Sequence, residues 1–159
     1  MTKIKTIIPY GRHSISDEDI QAVCEILRSD WITQGPTVDR FEKGVAAYCG
    51  AKYAVTVCNG TAALHIAALA AGLKKGKILW TSPITFVASA NCALYCGAEV
   101  DFVDIDPKSY NMSVPALEQK LEESQKNDEL PDVVVPVHFA GQSCEMEEIY
   151  QLSLRYGFK

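Results

Sequence analysis

The run Val55-Thr-Val-Cys-Asn-Gly-Thr-Ala-Ala-Leu-His65 holds the residue types best suited to gripping a phosphate. A β-branched stretch stops at Asn59-Gly60, and a helix opens at once on Thr61-Ala62. The first turn of a helix carries unpaired backbone N–H groups and a partial positive charge, which together bind anions. Gly60 adds no side chain, so a ligand can come close to the backbone there. The competing reading is a plain βα turn with a capped helix, a common connection in α/β folds. The G-x-G-x-x-G spacing of a dinucleotide site is absent, and no Gly-Lys-Ser/Thr follows to make a Walker A loop.

Three further segments carry groups that could do chemistry. Pro83-Ile-Thr-Phe-Val-Ala-Ser-Ala-Asn91 puts Phe86 near the start of the helix after the next strand, where an aromatic ring could stack on a flat cofactor or simply fill the core. Asp101-Phe-Val-Asp-Ile-Asp106 could hold Mg²⁺ through its carboxylates, but no other metal signature accompanies it. A solvated Asp-Pro turn is the reading adopted, and no metal is expected. Pro136-Val-His-Phe-Ala-Gly-Gln142 puts His138 at the carboxyl end of an apolar strand, as a base or as a hydrogen-bonded structural residue. Both readings stay open. The six cysteines form no C-x-x-C pair, and they read as thiols of a reducing compartment rather than as half a metal site.

The elements that must position these residues alternate along the chain. Ser16-Asp-Glu-Asp caps a helix with apolar face Ile20, Val23, Cys24 and Leu27, broken by Trp31 to Pro36. A second helix spans Val38 to Tyr48 and is closed by Gly50. Tyr53 to Cys58 reads as a strand, and Thr61 to Ala71 as an Ala- and Leu-rich helix buried on most sides, with His65 inside it. Lys77 to Thr81 is a strand, Ile84 to Tyr95 a helix closed by Gly97, and Glu99 to Val103 a strand. Ser113 caps a helix running to Gln125, Val133 to Val137 is an apolar strand, and Met146 to Tyr156 is a helix closed by Gly157. Four strands separated by helices imply right-handed βαβ units and an α/β sheet covered on both faces.

The chain has 159 residues, 48% of them hydrophobic and 22% charged, which suits one domain with a real core. The net charge is −5 with no basic cluster, which argues against a nucleic-acid partner. No apolar run is long enough to span a bilayer, and the N-terminus lacks a signal-peptide pattern, so a cytoplasmic protein without a membrane partner is expected. The stretch after Gly157 reads as the first residues of another strand, and a longer parent chain is expected from it.

Taken together, six segments in order resemble the sugar aminotransferases of the DegT/DnrJ/EryC1/StrS family. They are Ile8-Pro-Tyr-Gly-Arg12, Asp30-Trp-Ile-Thr-Gln-Gly-Pro36, Asn59 to His65, Ile84 to Asn91, Phe102 to Asp106 and Pro136 to Gln142. The resemblance implies an aspartate-aminotransferase-like, fold type I architecture, with residues 1–159 forming the N-terminal portion of the large three-layer αβα domain. It implies pyridoxal 5'-phosphate (PLP) as cofactor, its phosphate held by Thr61 and Ala62 and its ring covered by Phe86. Tyr10, Asp30, Trp31, Ile32, Thr33 and Gly60 would line a UDP-sugar site. The implied reaction moves an amino group, from glutamate, to the 4-keto group of a UDP-linked deoxy sugar of pseudaminic-acid-type glycan biosynthesis, in a homodimer. The family's Schiff-base Lys, and the Asp that pairs with the pyridine nitrogen, are expected beyond residue 159. The 159 residues alone should therefore hold no catalytic residue and be inactive. The alternative is a non-catalytic α/β module that binds a nucleotide sugar or assembles with itself.

Overall fold

A computed structural model describes residues 11–159, so Tyr10 lies outside the described residues. The chain divides into two compact units, one ending at Thr56 and one spanning Val57–Lys159.

The first unit contains α1 (Asp17–Leu27) and α2 (Pro36–Cys49). α1 starts as its sequence demands, with a reciprocal capping box. Ser16 Oγ accepts from the Asp19 N–H, and Asp19 Oδ2 accepts from the Ser16 N–H. α2 begins at Pro36, two residues earlier than the apolar pattern indicates, because a proline fits the first helical position without losing a bond. Gly50 closes it in the left-handed region, φ 63°.

The expected strand over Tyr53–Cys58 does not form. A strand is made by pairing, and the described strands pair with one another instead. Within this stretch the Thr56 N–H donates to Glu42 Oε1 of α2, at 2.8 Å, in place of a ladder bond.

The second unit is built on a parallel sheet of β1 (Ile78–Thr81), β2 (Glu99–Phe102) and β3 (Val133–Val135), in the order β2-β1-β3. Around it lie α3 (Gly60–Ala71), α4 (Ala88–Tyr95), α5 (Val114–Asn127) and α6 (Met146–Tyr156). Side chains of a strand alternate between faces, and here the alternation divides two cores. Leu79 and Val133 join Ala68, Leu73, Cys92 and Ala93 on the α3/α4 face. Trp80 and Val134 join Leu117, Leu121, Ile149, Leu152 and Tyr156 on the α5/α6 face. The sheet is thus covered on both sides, as the apolar runs require. Phe158 enters the second core, and Lys159 pairs beside β3: its N–H donates to Asp132 O, and its carbonyl accepts from Val134.

Two expectations about the helices are corrected. The helix after β1 starts at Ala88 rather than Ile84, so residues 82–87 form a loop. α3 is not buried on most sides; among its residues only Ala68 is buried, and Ile66 and Leu69 are exposed. Alanine makes good helix whatever its surroundings, so its abundance does not report burial. His65 is half-buried, its ring edge-on to Tyr95 of α4 at 5.4 Å between centroids. Burial pushes the Cys92 and Cys144 thiols above their ordinary range, which makes both poor nucleophiles.

The turn after β3 is held by a residue on a different connection. Asn111, 4% exposed, donates from Nδ2 to the carbonyls of Gln142 and Ser143 and accepts the Phe139 N–H on Oδ1. Removing it takes three hydrogen bonds from a turn that is only partly buried, at a cost of about 1 kcal/mol. Asn111→Ala should lower the unfolding free energy by that amount, read as a lower urea midpoint at an unchanged slope. A variant with the wild-type midpoint would show that water satisfies the turn equally well.

Candidate functional site

The strand order decides where a ligand fits. From β1 the chain runs through α4 to β2 on one side, then through α5 to β3 on the other side of β1. The connections leaving β1 and β3 therefore diverge, one to α4 on the first face and one to α6 on the second. Open α/β sheets bind ligands in such a crevice, outside the carboxyl ends of the strands where the order reverses. Thr81 Oγ1 ties the two strand ends together by donating to Val135 O at 2.9 Å.

Three features of the second unit meet at this edge. α3 precedes β1 through a short connection and packs against α4. A helix returning into a strand runs antiparallel to it, so α3 starts at the carboxyl edge, as α4 does. The loop 82–87 carries Phe86, whose side chain is 74% exposed rather than part of the core. The loop after β3 carries His138, also exposed.

The start of α3 is built by Asn59. Its Oδ1 accepts the Ala62 N–H at 2.9 Å, so that donor is already used. Among the described residues no acceptor takes the N–H groups of Gly60 or Thr61. A Cβ placed on Gly60 would meet nothing within 4 Å, so the space over the helix start is open. Of the pair expected at the phosphate, Thr61 keeps an unclaimed N–H, as does Gly60 beside it, while the Ala62 N–H is engaged by Asn59. An Asn before a helix is a capping signal, and it could have revealed in the sequence that Ala62 is occupied.

One residue of this edge escaped the sequence reading. Ser82, directly after β1, is 1% exposed, and its Oγ has no hydrogen-bond partner among the described residues. A buried hydroxyl left unpaired is uncommon, and this one lies where the strand order reverses. No pattern of residue types would single out one serine among many.

The remaining candidates are placed as follows. His138 Nδ1 accepts the Cys144 N–H at 3.0 Å, which is the structural role weighed for it. The three aspartates are each engaged locally. Asp101 pairs with Lys120, Asp104 accepts the Ile105 N–H, and Asp106 accepts the N–H groups of Lys108 and Ser109. Those backbone donors hold the Asp106 carboxyl below its usual range. Among the described residues no three His, Cys, Asp or Glu side chains gather as a metal site. Lys159 Nζ donates to Ala71 O at the end of α3, so it is engaged as a helix cap. Asp30, Trp31, Ile32 and Thr33 form an exposed bend of the first unit, and Gly60 belongs to the second.

The sequence and the fold both have relatives. Residues 13–159 match the model of the DegT/DnrJ/EryC1/StrS aminotransferase family. The chain is 42% identical over 150 residues to the spore coat polysaccharide biosynthesis protein SpsC of Bacillus subtilis, covering 94% of this chain and 37% of that protein. It is 41% identical over 144 residues to the putative pyridoxal phosphate-dependent aminotransferase EpsN of the same organism, covering 90% of this chain and 37% of that one. Among solved structures, it superposes on a DegT DnrJ EryC1 StrS aminotransferase from Brucella abortus with a TM-score of 0.81 and 31% identity, covering 87% of this chain and 38% of the other. The PLP form of the putative sugar aminotransferase Spr1654 from Streptococcus pneumoniae gives a TM-score of 0.79 at 28% identity, covering 91% and 36%. The chain thus spans well under half the length of the curated relatives it matches. The architecture is that of fold type I aminotransferases, as the resemblance implies. With a family match over nearly all of its residues, the chain belongs to the DegT/DnrJ/EryC1/StrS aminotransferase family.

Proposed function

We propose that residues 1–159 form the N-terminal part of the large domain of a PLP-dependent sugar aminotransferase. The reading rests on one observation: the unclaimed N–H groups of Gly60 and Thr61 open at the carboxyl edge of a parallel sheet whose order reverses there. The site fits PLP. The open space over Gly60 admits a phosphate, the exposed Phe86 ring offers a face to a flat heterocycle, and the Ser82 hydroxyl, unpaired among the described residues, marks a polar position at this edge.

In this reading the chain supplies binding and orientation. Gly60 and Thr61 donate to the phosphate, aided by the positive end of α3. Asn59 fixes that helix start, so the donors are aimed before the ligand arrives. Phe86 covers one face of the ring and excludes water from it. When bound, PLP supplies an electron sink for moving an amino group between an amino acid and a keto compound. Tyr10, the bend from Asp30 to Thr33 and Gly60 contact the sugar nucleotide. The acceptor is the 4-keto group of a UDP-linked deoxy sugar of pseudaminic-acid type, the donor is glutamate, and the enzyme works as a cytoplasmic homodimer. Among the described residues no helix is long and apolar enough to cross a membrane. The lysine and aspartate that complete the cofactor site follow residue 159 in the longer polypeptide.

Two substitutions test the phosphate and ring contacts in the full-length polypeptide. Gly60 is the first residue of α3, and Asn59 before it is extended (φ −166°, ψ 170°), which suits a residue preceding proline. Gly60→Pro should therefore leave the melting temperature unchanged while deleting one donor to an anion. The loss should weaken PLP binding roughly ten- to hundredfold in an absorbance titration. Unchanged affinity in the folded variant would remove Gly60 from the site. Phe86→Ala should raise the PLP dissociation constant roughly three- to tenfold, the value of one aromatic stacking contact. An unaltered constant would mean that the ring lies elsewhere. A well-folded full-length protein that shows no PLP absorbance band when supplied with the cofactor would contradict the whole reading.

A further inference from the structure

We propose that His138 is a binding residue of the β1/β3 crevice, donating from Nε2–H to an oxygen of the ligand held there. The inference rests on the aminotransferase reading and adds a residue to its site. His138 follows β3 by three residues, on the connection that diverges from that of β1. Its ring is not free to choose a tautomer. Nδ1 accepts the Cys144 N–H at 3.0 Å, so Nδ1 carries a lone pair and the proton of the neutral ring sits on Nε2. Nε2 lies across the ring from that bond, on a side chain that is exposed. Among the described residues nothing accepts from it.

The ring's setting is firm. The turn around it is pinned by Asn111 through three bonds to Phe139, Gln142 and Ser143. Cys144 Sγ also donates to Val137 O at 3.2 Å. These contacts hold the loop without help from Nε2, so the structural work of His138 is done by one nitrogen and the other is left over. A donor fixed in tautomer and orientation before the ligand binds costs little ordering entropy when it is used. The partner chemistry is an oxygen acceptor at the crevice. Two sources fit, the cofactor's own oxygens and those of the sugar nucleotide.

Asparagine and glutamine separate the two nitrogens of the ring. Asparagine can place an acceptor where Nδ1 lies but reaches no further; glutamine can reach the Nε2 position but not the Nδ1 one. In the full-length polypeptide, His138→Asn should keep the wild-type melting temperature. It should raise either the PLP dissociation constant or the KM for a 4-keto UDP-sugar roughly tenfold, the arm that moves identifying the oxygen. His138→Gln should melt lower yet bind both more nearly as wild type. Long-range ¹H–¹⁵N correlation of the wild-type ring should show the proton on Nε2. A folded Asn variant with both constants within twofold of wild type, or a proton found on Nδ1, would overturn the proposal and leave the aminotransferase reading intact. Wild-type protein that binds no PLP would overturn both.

Discussion

Backbone amides that begin a helix have no partner within it, and everything proposed for this chain depends on where α3 leaves two of them. Asn59 takes one donor of the first turn and Ser82 to Phe86 form the neighbouring loop, so the N–H groups of Gly60 and Thr61 open onto the carboxyl edge of the sheet. A phosphate there meets hydrogen-bond donors and the positive end of the helix at once. Open space over Gly60 lets it approach. The same amides facing a packed side chain would say nothing about function.

The sheet gives that edge its meaning. Because β1 lies between β2 and β3, the chain must jump across it, and the connections leaving β1 and β3 go to opposite faces. A crevice follows from the topology. Thr81 fastens its floor by bonding to Val135, and Asn111 and His138 hold the wall that β3 contributes. Rigid strands and a pinned turn thus carry the exposed Phe86 and His138, in the usual division between scaffold and loop.

Much of this was legible residue by residue. The capping pair Ser16 and Asp19, Ser113 before α5 and Gly157 after α6 act through contacts a few residues apart, so local sequence is enough to place those helix ends. The expected strands at 77–81 and 133–137 form over 78–81 and 133–135, and the apolar composition of the second announced its burial. What escaped depends on distant partners. Residues 53–58 have strand composition and no strand to pair with among the described residues. The order of the sheet, the three bonds of Asn111 to a turn some thirty residues on, and the tautomer of His138 exist only once the chain has folded. At the site itself the helix start was readable, and the Asn59 cap on Ala62 carried a local signal too, whereas the buried Ser82 hydroxyl needed the folded chain.

The most direct measurement is a crystal structure of the full-length polypeptide with PLP bound. The phosphoryl oxygens should lie within hydrogen-bonding distance of the backbone nitrogens of Gly60 and Thr61, with the ring against Phe86. A phosphoryl group bound anywhere else, with those two amides facing solvent, would contradict the account at its base.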